Sequence, residues 1–520
     1  MTASIPDGYL GTDGRITSGP APELVAAGYA LEISDAPLLH EGLGLADLAH
    51  VITLARQQLL PEQHVRPLLT ALLELGDVPF EEFPYDVVLG DAYNSREKEL
   101  SRRVGDLAGW VHLGRTRREA GRIAFRLAVR ELILDLDQAT SEFTTALADR
   151  AHDAADLLWA DMTYLQPAQP STFGHYLASF AEESSRDLTR LRQCYSWVDV
   201  SPAGSGGVAG TRLGLDRDGL AELLGFAAVG RNSRDTMWNV DGLIDVVAAA
   251  VQAALTADRL AEDLEIFTSP GFGFVTLDAS MCRASVLMPQ KRNPYALAVI
   301  RSGASTLVGR LTGLMATART PSARTDNWLH TYGEVASSLV LSRRIVQLAA
   351  AVIRTIAIDT EALARSATDE QIAATDLAEE LALRAGLDYR TAYRVVGRAV
   401  ARSLQDASGI TAASLDDAAR FVTGSPLATH DAPIDVADIL DPAALVASRR
   451  ESGGCAPQVV RDEMASLRPL IAANDAWRDD RRTANRATRA SLLDLARSIA
   501  ADGITASLAP SPRRAAVTTG

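Results

Sequence analysis

The apolar positions of this chain recur with helical spacing over most of its length. The segment LADLAHVITLARQQLL begins at Leu45, Pro61 is suited to the first turn of a following helix, and a second apolar run ends at Gly76. In 241–266 the polar residues are spaced 7, 4, 3 and 4 apart, at Asp245, Gln252, Thr256, Arg259 and Asp263, while small and aliphatic residues fill another face. Such small-residue faces let helices approach closely, so the pattern predicts a bundle of long helices.

These patterns divide the chain into three predicted regions. Residues 1–115 are expected to form an N-terminal arm, covering roughly the first 35 positions, followed by a small helical domain. Residues 116–365 carry the longest helical patterns and are expected to form the central domain. Residues 366–520 are expected to form a C-terminal helical domain, with Asp388 capping one helix and a disordered tail from about residue 503.

Two glycine-rich segments interrupt the central region. They are SPAGSGGVAG at 201–210 and SPGFGFVTLDASMCRASVLMPQKRNP at 269–294. Such segments between long helices are costly to order and often carry function, although a simple surface turn is the alternative.

Composition agrees with a helical protein and narrows its partners. Aromatic residues make up only 5% of the 520 positions, which favours an all-α fold over sheets. The 51 Lys and Arg against 66 Asp and Glu give a net charge of −15, which argues against binding to nucleic acid. The most apolar stretches, such as 243–255 and 339–358, are short or interrupted by polar residues, below the ~18 clean residues of a membrane span.

The cysteines and the N-terminus point to the cytoplasm. Cys194, Cys282 and Cys455 are odd in number and lack CxxC spacing, which indicates free thiols in a reducing compartment. The first residues lack the basic and apolar segments of a signal peptide. No metal-ligand spacing, Walker loop or dinucleotide-binding glycine motif is present, so we expect no metal and no cofactor.

The segment MPQKRNP contains groups that would bind an anion. Asn293 is expected to cap a helix whose first residue is Pro294, which leaves free backbone donors at the helix N-terminus. Lys291 lies two residues before Asn293 and adds an ammonium group, so a carboxylate is the natural ligand. Ser285 lies six residues before Lys291 in a stretch that would let it move toward that ligand.

The segment ASVLMPQKRNP resembles the GSSxMPxKxNP signature of the fumarase/aspartase superfamily, with Ser285 at the position of the mobile catalytic serine. Three further segments, in the same order, resemble argininosuccinate lyase: GDLAGWVHLGRTRRE (105–119), TYLQPAQPSTFGHY (163–176) and SPAGSGGVAGT (201–211). The resemblance covers roughly residues 40–410, and several ordered motifs are more specific than any one of them.

This resemblance implies a homotetramer whose central helices form one bundle and whose active sites are each assembled from three chains. It also implies β-elimination: a base removes the proton next to a carboxylate, and the C–N bond breaks to release fumarate. Ser285 would be the general base once its loop closes. Lys291 and Asn293 would stabilise the charge that develops on the carboxylate, and Met288 would contact the substrate.

The chain departs from the family pattern at several site positions. Tyr164 replaces the family's histidine and Ala298 replaces the glutamate that pairs with it, so that dyad is lost as a unit. Tyr164 can donate a proton to a leaving group or can be a packed tyrosine, and both interpretations stay open. Arg118 and Glu119 stand where Asn and Asp are expected.

A second group of departures lies in the segment TPSARTDNWLHTY (320–332), which places Arg324, Leu329 and Tyr332 where the family has other substrate contacts. The pocket for the arginine part of argininosuccinate would therefore be rebuilt. Ser205 and Gly206 are candidate backbone donors to the site. The residues expected to bind the substrate are Arg115, Arg117, Arg118, Thr163, Gln166, Met288 and Arg324. Its arginines, with Lys291, would form a basic island within an acidic protein, although each could instead be an ordinary solvated arginine.

Three functions are compatible with these residues. The first is a carbon–nitrogen lyase that cleaves an N-substituted succinate or related amino dicarboxylate, with a substrate other than argininosuccinate left open. The second is a cyclase, isomerase or other elimination in which no amine needs protonation. The third is an inactive structural or regulatory homologue. Retention of Ser285 together with MPQKRNP argues against the third.

Overall fold

The computed structural model describes residues 15–321, 323–427 and 435–504. The predicted disordered tail falls almost entirely outside these residues, as does the beginning of the N-terminal arm.

The described chain is built mainly from α-helices, as the sequence predicted. They are α1 Pro22–Leu24, α2 Ala30–Ile33, α3 Ala36–Arg56, α4 Glu62–Gly76, α5 Ala92–Val104, α6 Arg117–Asp153, α7 Phe173–Val198, α8 Arg217–Leu224, α9 Ser233–Trp238, α10 Asp241–Phe267, α11 Tyr295–Ala318, α12 Thr331–Thr355, α13 Thr360–Ser366, α14 Ala374–Arg384, α15 Tyr389–Asp406, α16 Ala412–Thr423, α17 Val436–Ile439, α18 Pro442–Ser448 and α19 Pro457–Asp502.

Short strands form four two-stranded pairs. They are β1 Leu158–Thr163 with β2 Gln166–Thr172, β3 Val200–Ser201 with β4 Ala228–Val229, β5 Val275–Thr276 with β8 Ala357–Ile358, and β6 Arg283–Ala284 with β7 Arg292–Asn293. The β3–β4 pair is parallel and the other three are antiparallel.

Five long helices, α6, α7, α10, α11 and α12, form the centre of the fold. Helix α6 packs against α7 and α12, and α10 packs against α7, α11 and α12. The small residues predicted to let α10 approach its neighbours are buried, among them Ala250, Ala254 and Ala257. Burial of such faces in one hydrophobic core holds the bundle together.

A ladder of buried arginines on α6 ties the bundle to the loops around it. Arg122, Arg126 and Arg130 follow one another at intervals of four residues, so they lie on one face of the helix. Arg122 donates to the Met237 carbonyl at 3.0 Å, and Arg126 donates to the Val200 carbonyl at 2.8 Å. Each guanidinium also stacks on an aromatic ring. The segments between α7 and α10 are therefore held from within the core.

The described part of the N-terminal arm is more ordered than predicted. Residues 22–33 form the short helices α1 and α2, joined by a π-helical turn at Val25–Tyr29. Pro22 begins the first turn, where its missing N–H is not needed. Tyr29 packs close to Gly90, so contacts with the following domain hold this arm in place.

The described helices of the predicted C-terminal region contribute mainly to two hydrophobic cores. Helices α14 to α17 enclose a small core of their own, and the carboxylate of Asp388 caps α15 by accepting from the Arg390 and Thr391 amides, as expected. Helix α19 instead returns along the central helices and adds Val460, Met464 and other apolar residues to the main core.

Two helices, Ala36–Arg56 and Thr331–Thr355, are long and apolar enough to cross a membrane by length and composition. Both pack against α6, and the apolar residues of Ala36–Arg56 lie almost entirely inside the protein.

Candidate active site

The segment with the superfamily signature folds into a small β-hairpin. Strands β6 and β7 pair Arg283 with Asn293 and Ala284 with Arg292. The Asn293 side chain donates to the Arg283 carbonyl at 2.9 Å and so closes the base of the loop. The expectation that Asn293 caps the next helix is wrong: α11 begins at Tyr295, after Pro294, without a side-chain cap. Asn293 is held by strand pairing and points back across the hairpin.

Ser285 lies at the start of the exposed hairpin loop. Its Oγ accepts hydrogen bonds from the amides of Leu287 at 3.3 Å and Met288 at 3.0 Å. Two N–H donors directed at one oxygen stabilise negative charge on it, which lowers the cost of removing the serine proton. Lys291 is exposed on the far side of the loop, where its amide donates to the Met288 carbonyl.

Tyr164 occupies the tip of a second hairpin, formed by β1 and β2. Tyr164 and Leu165 have φ values of +56° and +58°, a conformation that favours glycine or asparagine. The Tyr164 side chain is 98% exposed, so the alternative of a tyrosine packed within its own protomer is wrong. Thr163 and Gln166 flank it as an exposed pair. Strained backbone conformations of this kind are often found at functional sites, where they fix the orientation of a side chain.

A third group of predicted residues surrounds a cavity of about 30 Å³, which we call the arginine cavity. Its polar lining comes from the N-terminal arm, α3, α5, α6 and α12, and consists of Glu32, Asp35, Asp91, Tyr93, Arg117, Arg118 and Tyr332. Arg118 donates to both carboxylate oxygens of Glu32, at 2.5 and 3.2 Å. Arg117 donates to Asp91 at 2.9 Å. These two arginines of the predicted basic island are thus paired with carboxylates from other segments.

Arg115 lies behind this cavity and does not line it. Its guanidinium is enclosed and donates to Asp47 at 2.5 Å, to the Ala46 carbonyl at 3.0 Å and to the Tyr93 hydroxyl at 3.1 Å. Burial raises the pKa of Tyr93 to about 12, so that hydroxyl keeps its proton. The expected substrate contact at Arg115 is therefore corrected to a structural one: both terminal nitrogens of its guanidinium bind Asp47, Ala46 and Tyr93, and Arg115 supports the cavity wall.

The loop at 201–210 is fastened to the start of α6. The buried Glu119 carboxylate accepts from the Gly204 amide at 2.7 Å and the Gly206 amide at 2.6 Å. Burial raises the pKa of Glu119 to about 7 despite these donors. Ser205 is buried and the Gly206 amide is used by Glu119, so the expectation that both offer backbone donors to a ligand is wrong.

Sequence reasoning missed the role of Glu119, although a signal was present. Thr116 and Glu119 have the spacing of a capping box, and Thr116 does accept from the Glu119 amide. The Glu119 carboxylate binds the loop at 201–210 instead of the helix N-terminus. Arg324 is exposed and does not line the arginine cavity, whereas Leu329 and Tyr332 from the same segment do.

The predicted residues therefore lie on three elements of one protomer: the hairpin of Ser285, the hairpin of Tyr164 and the arginine cavity. Neither hairpin contributes to the lining of the cavity. Within the described ranges, no group of three or more His, Cys, Asp or Glu is arranged to hold a metal ion.

Comparison with known proteins shows which family the chain belongs to. A family model described as lyase matches residues 54–309, and one described as argininosuccinate lyase C-terminal matches residues 371–447. The argininosuccinate lyase of Methanoculleus marisnigri is 34% identical over 442 residues, which cover 85% of this chain and 89% of that protein. The argininosuccinate lyase of Halobacterium salinarum is 32% identical over 463 residues, which cover 89% of this chain and 93% of that protein.

A solved structure of an EDDS lyase variant with bound fumarate superimposes with a TM-score of 0.80 at 25% identity, covering 94% of this chain and 98% of that one. Sequence and fold thus agree over nearly the whole length. The chain belongs to the argininosuccinate lyase-like group of the fumarase/aspartase superfamily, and it is a carbon–nitrogen lyase.

Proposed function

We propose that this lyase performs β-elimination on an N-substituted succinate or a related amino dicarboxylate and releases fumarate. The observation that carries the proposal is the hairpin at 283–293, which holds Ser285 under two amide donors close in sequence to Lys291 and Asn293. The similarity to a lyase structure with bound fumarate supports the same product.

In the proposed reaction, the alkoxide form of Ser285, stabilised by the two amide donors, takes a proton from the carbon next to one carboxylate and becomes the hydroxyl. The electrons left on that carbon are delocalised into the carboxylate, which becomes doubly charged, and they then form the double bond as the C–N bond breaks. Lys291 and Asn293 stabilise this charge, because ammonium and amide groups aimed at a developing anion lower its energy. The departing nitrogen takes a proton from Tyr164, and the products are fumarate and a free amine.

The remaining contacts are proposed by position. Thr163 and Gln166 flank Tyr164 on the same hairpin, and Met288 lies in the loop of Ser285. Arg117 and Arg118 line the arginine cavity, where each is already paired with a carboxylate. Arg324 is exposed beside the segment that contributes Tyr332. These residues would bind the substrate carboxylates and the amine portion.

We propose a homotetramer with active sites shared between chains. Helix α11 exposes an uncharged face that contains Ala298, Ser302, Ser305, Gly309, Thr312 and Ala316. Val308 and Met315 of the same helix are also exposed. An uncharged face on a central helix of an acidic protein favours contact with other helices over contact with water. Size-exclusion chromatography with light scattering should give four chains per particle; a monomer would contradict the proposal.

We place the reaction in the cytoplasm, as the sequence suggested. The three cysteines are unpaired, and the thiols of Cys194 and Cys455 are buried. Unpaired thiols suit a reducing compartment.

The proposed reaction is tested by following fumarate absorbance with a panel of N-substituted succinates. Ser285→Ala should lower kcat about 10²- to 10⁴-fold, the usual contribution of a general base. Ser280→Ala is the matched control, because Ser280 is an exposed serine on the same segment and bonds only to Asp278. Equal rates for wild type and Ser285→Ala would exclude the proposed role of Ser285.

A further inference from the structure

One face of helix α15 carries a row of arginines without carboxylate partners. Arg390, Arg394 and Arg398 follow one another at intervals of four residues, so they lie along one side of the helix, and all three are exposed. Among the residues that the structure describes, none of the three forms an ion pair. We call these three arginines the α15 stripe.

The charge of the α15 stripe is not balanced by its surroundings, although the whole chain has a net charge of −15. Residues 389–405 of the helix contain no Asp or Glu. The other arginines of α14 to α16 are each paired with a carboxylate, at Arg384–Glu380, Arg402–Asp417 and Arg420–Asp416. The stripe therefore differs from its neighbours in having positive charge available for another molecule.

Exposed aromatic rings lie beside the α15 stripe. Tyr393 is three residues from Arg390 on the helix, and 59% of it is exposed. Phe421 of α16 is 69% exposed, and the Arg398 guanidinium stacks on its ring at 3.4 Å from the ring centroid. Arginine and aromatic side chains are enriched at protein–protein interfaces and carry much of their binding energy. This composition favours a docking surface over an ordinary solvated helix face.

The spacing of the α15 stripe matches that of an extended acidic chain. Residues four apart on a helix are separated by about 6 Å along its axis. Alternate residues of an extended strand point to one side and are about 6.6 Å apart. Carboxylates at every second position of a strand would therefore each meet one guanidinium. A small anion on this outer surface of a single helix would not span the three arginines.

The surroundings of the α15 stripe favour a protein partner over a nucleic acid. Residues 371–427 contain six Arg and no Lys against seven Asp and Glu, so this part of the chain has no net positive charge. Binding to nucleic acid depends on cations that neutralise many phosphates. Recognition of an acidic protein segment requires only local charge complementarity.

We infer that the α15 stripe, together with Tyr393 and Phe421, is a docking surface for an acidic segment of another protein with Asp or Glu at alternate positions. The stripe lies on the small core formed by α14 to α17, whereas the uncharged face proposed for the tetramer lies on α11. The surface would serve to bring a partner protein to the lyase, and it is independent of the reaction proposed for Ser285.

Fluorescence anisotropy tests this inference on the full-length protein. The probe is a fluorescein-labelled peptide of about eight residues with Glu at alternate positions, and the reference peptide has Gln in place of each Glu. Wild type should bind the Glu peptide more tightly than the Gln peptide. The stripe variant, Arg394→Gln with Arg398→Gln, should weaken binding of the Glu peptide at least about 5-fold, because two charge-assisted contacts are lost.

The matched control is Arg384→Gln with Arg420→Gln. It removes the same charge from the same small core, at arginines that are already paired with carboxylates. Binding of the Glu peptide by this control should stay within about 2-fold of wild type. Phe421→Ala is a second test, since it removes the exposed ring that supports Arg398, and it should also weaken binding. Thermal unfolding verifies that each variant is folded.

Three outcomes would overturn the inference. Equal binding of the Glu and Gln peptides would show that no carboxylate is recognised, and equal losses in the stripe variant and the control would show that only overall charge matters. A single-stranded oligonucleotide that binds more tightly than the Glu peptide, and requires the stripe, would assign the surface to nucleic acid. A lower oligomeric mass of the stripe variant in light scattering would place the stripe between copies of this chain.

Discussion

Substitution of Gly121 by alanine separates the stability of α6 from the use of the arginine cavity. Gly121 lies within α6 and lines the cavity. A Cβ at this position would lie 3.3 Å from the Tyr332 hydroxyl oxygen, so Tyr332 must move by a few tenths of an ångström. Alanine stabilises a helix interior by about 1 kcal/mol relative to glycine. The added methyl group would narrow the cavity.

The two effects have opposite signs. The melting temperature should be unchanged or slightly higher, because the gain in helix stability from alanine offsets the cost of the small displacement of Tyr332. A substrate group in the narrowed cavity should lose contact with Arg117 or Arg118, a charge-assisted hydrogen bond of about 1.5–3 kcal/mol. That loss corresponds to a decrease in kcat/KM of about 10- to 150-fold for the N-substituted succinate.

The assay compares kcat/KM and thermal unfolding of wild type, Gly121→Ala and Gly397→Ala. Gly397 is the matched control, because it lies in the interior of α15 and a Cβ there would meet no atom within 4 Å. It should gain stability without a change in activity. Wild-type kcat/KM in Gly121→Ala would refute the assignment of the cavity to the active site. A marked fall in its melting temperature would show that Tyr332 cannot move as reasoned.

Three further predictions follow from buried or hairpin contacts. Arg130 binds the Asp199 carboxylate at 2.7 Å, and Arg130→Met would leave that carboxylate buried without its partner. The free energy of unfolding should therefore fall by about 3–5 kcal/mol. An unchanged melting temperature would contradict this prediction. Asn293→Ala removes the hydrogen bond to the Arg283 carbonyl, which is worth about 0.5–1.5 kcal/mol. Hydrogen exchange of the hairpin amides should therefore become about 2- to 13-fold faster. An unaltered exchange rate would show that strand pairing alone holds the hairpin. Burial raises the pKa of Glu119 from 4.5 to about 7, so its contribution to stability is complete below about pH 4.5 and is lost as pH rises through 7. Between pH 4.5 and pH 7, the free energy of unfolding of the wild type should therefore fall by about 3 kcal/mol relative to that of Glu119→Gln. If the melting temperatures of the two proteins change in parallel with pH, the raised pKa of Glu119 is contradicted.

The helical class was determined by the sequence alone, because the spacing of apolar residues is a local property. The same holds for Ser285, Lys291 and Asn293, which lie within nine residues and form one hairpin. The Asp388 cap was predictable for the same reason, since a cap depends only on its own helix. The conformation of Asn293 could not be predicted from the sequence. The strand pair that holds Asn293 competes with helix capping and prevails only in the folded chain.

The charge of the site was decided by the tertiary structure. From the sequence, Arg115, Arg117, Arg118, Lys291 and Arg324 suggested a basic island. The partners of Arg115 and Arg118 are supplied from far along the chain: Asp47 lies 68 residues before Arg115, and Glu32 lies 86 residues before Arg118. Spacing along a sequence carries no information about contacts of that range, because they depend on how the arm, α3 and α6 pack together. Only that packing shows which arginines are already paired with carboxylates.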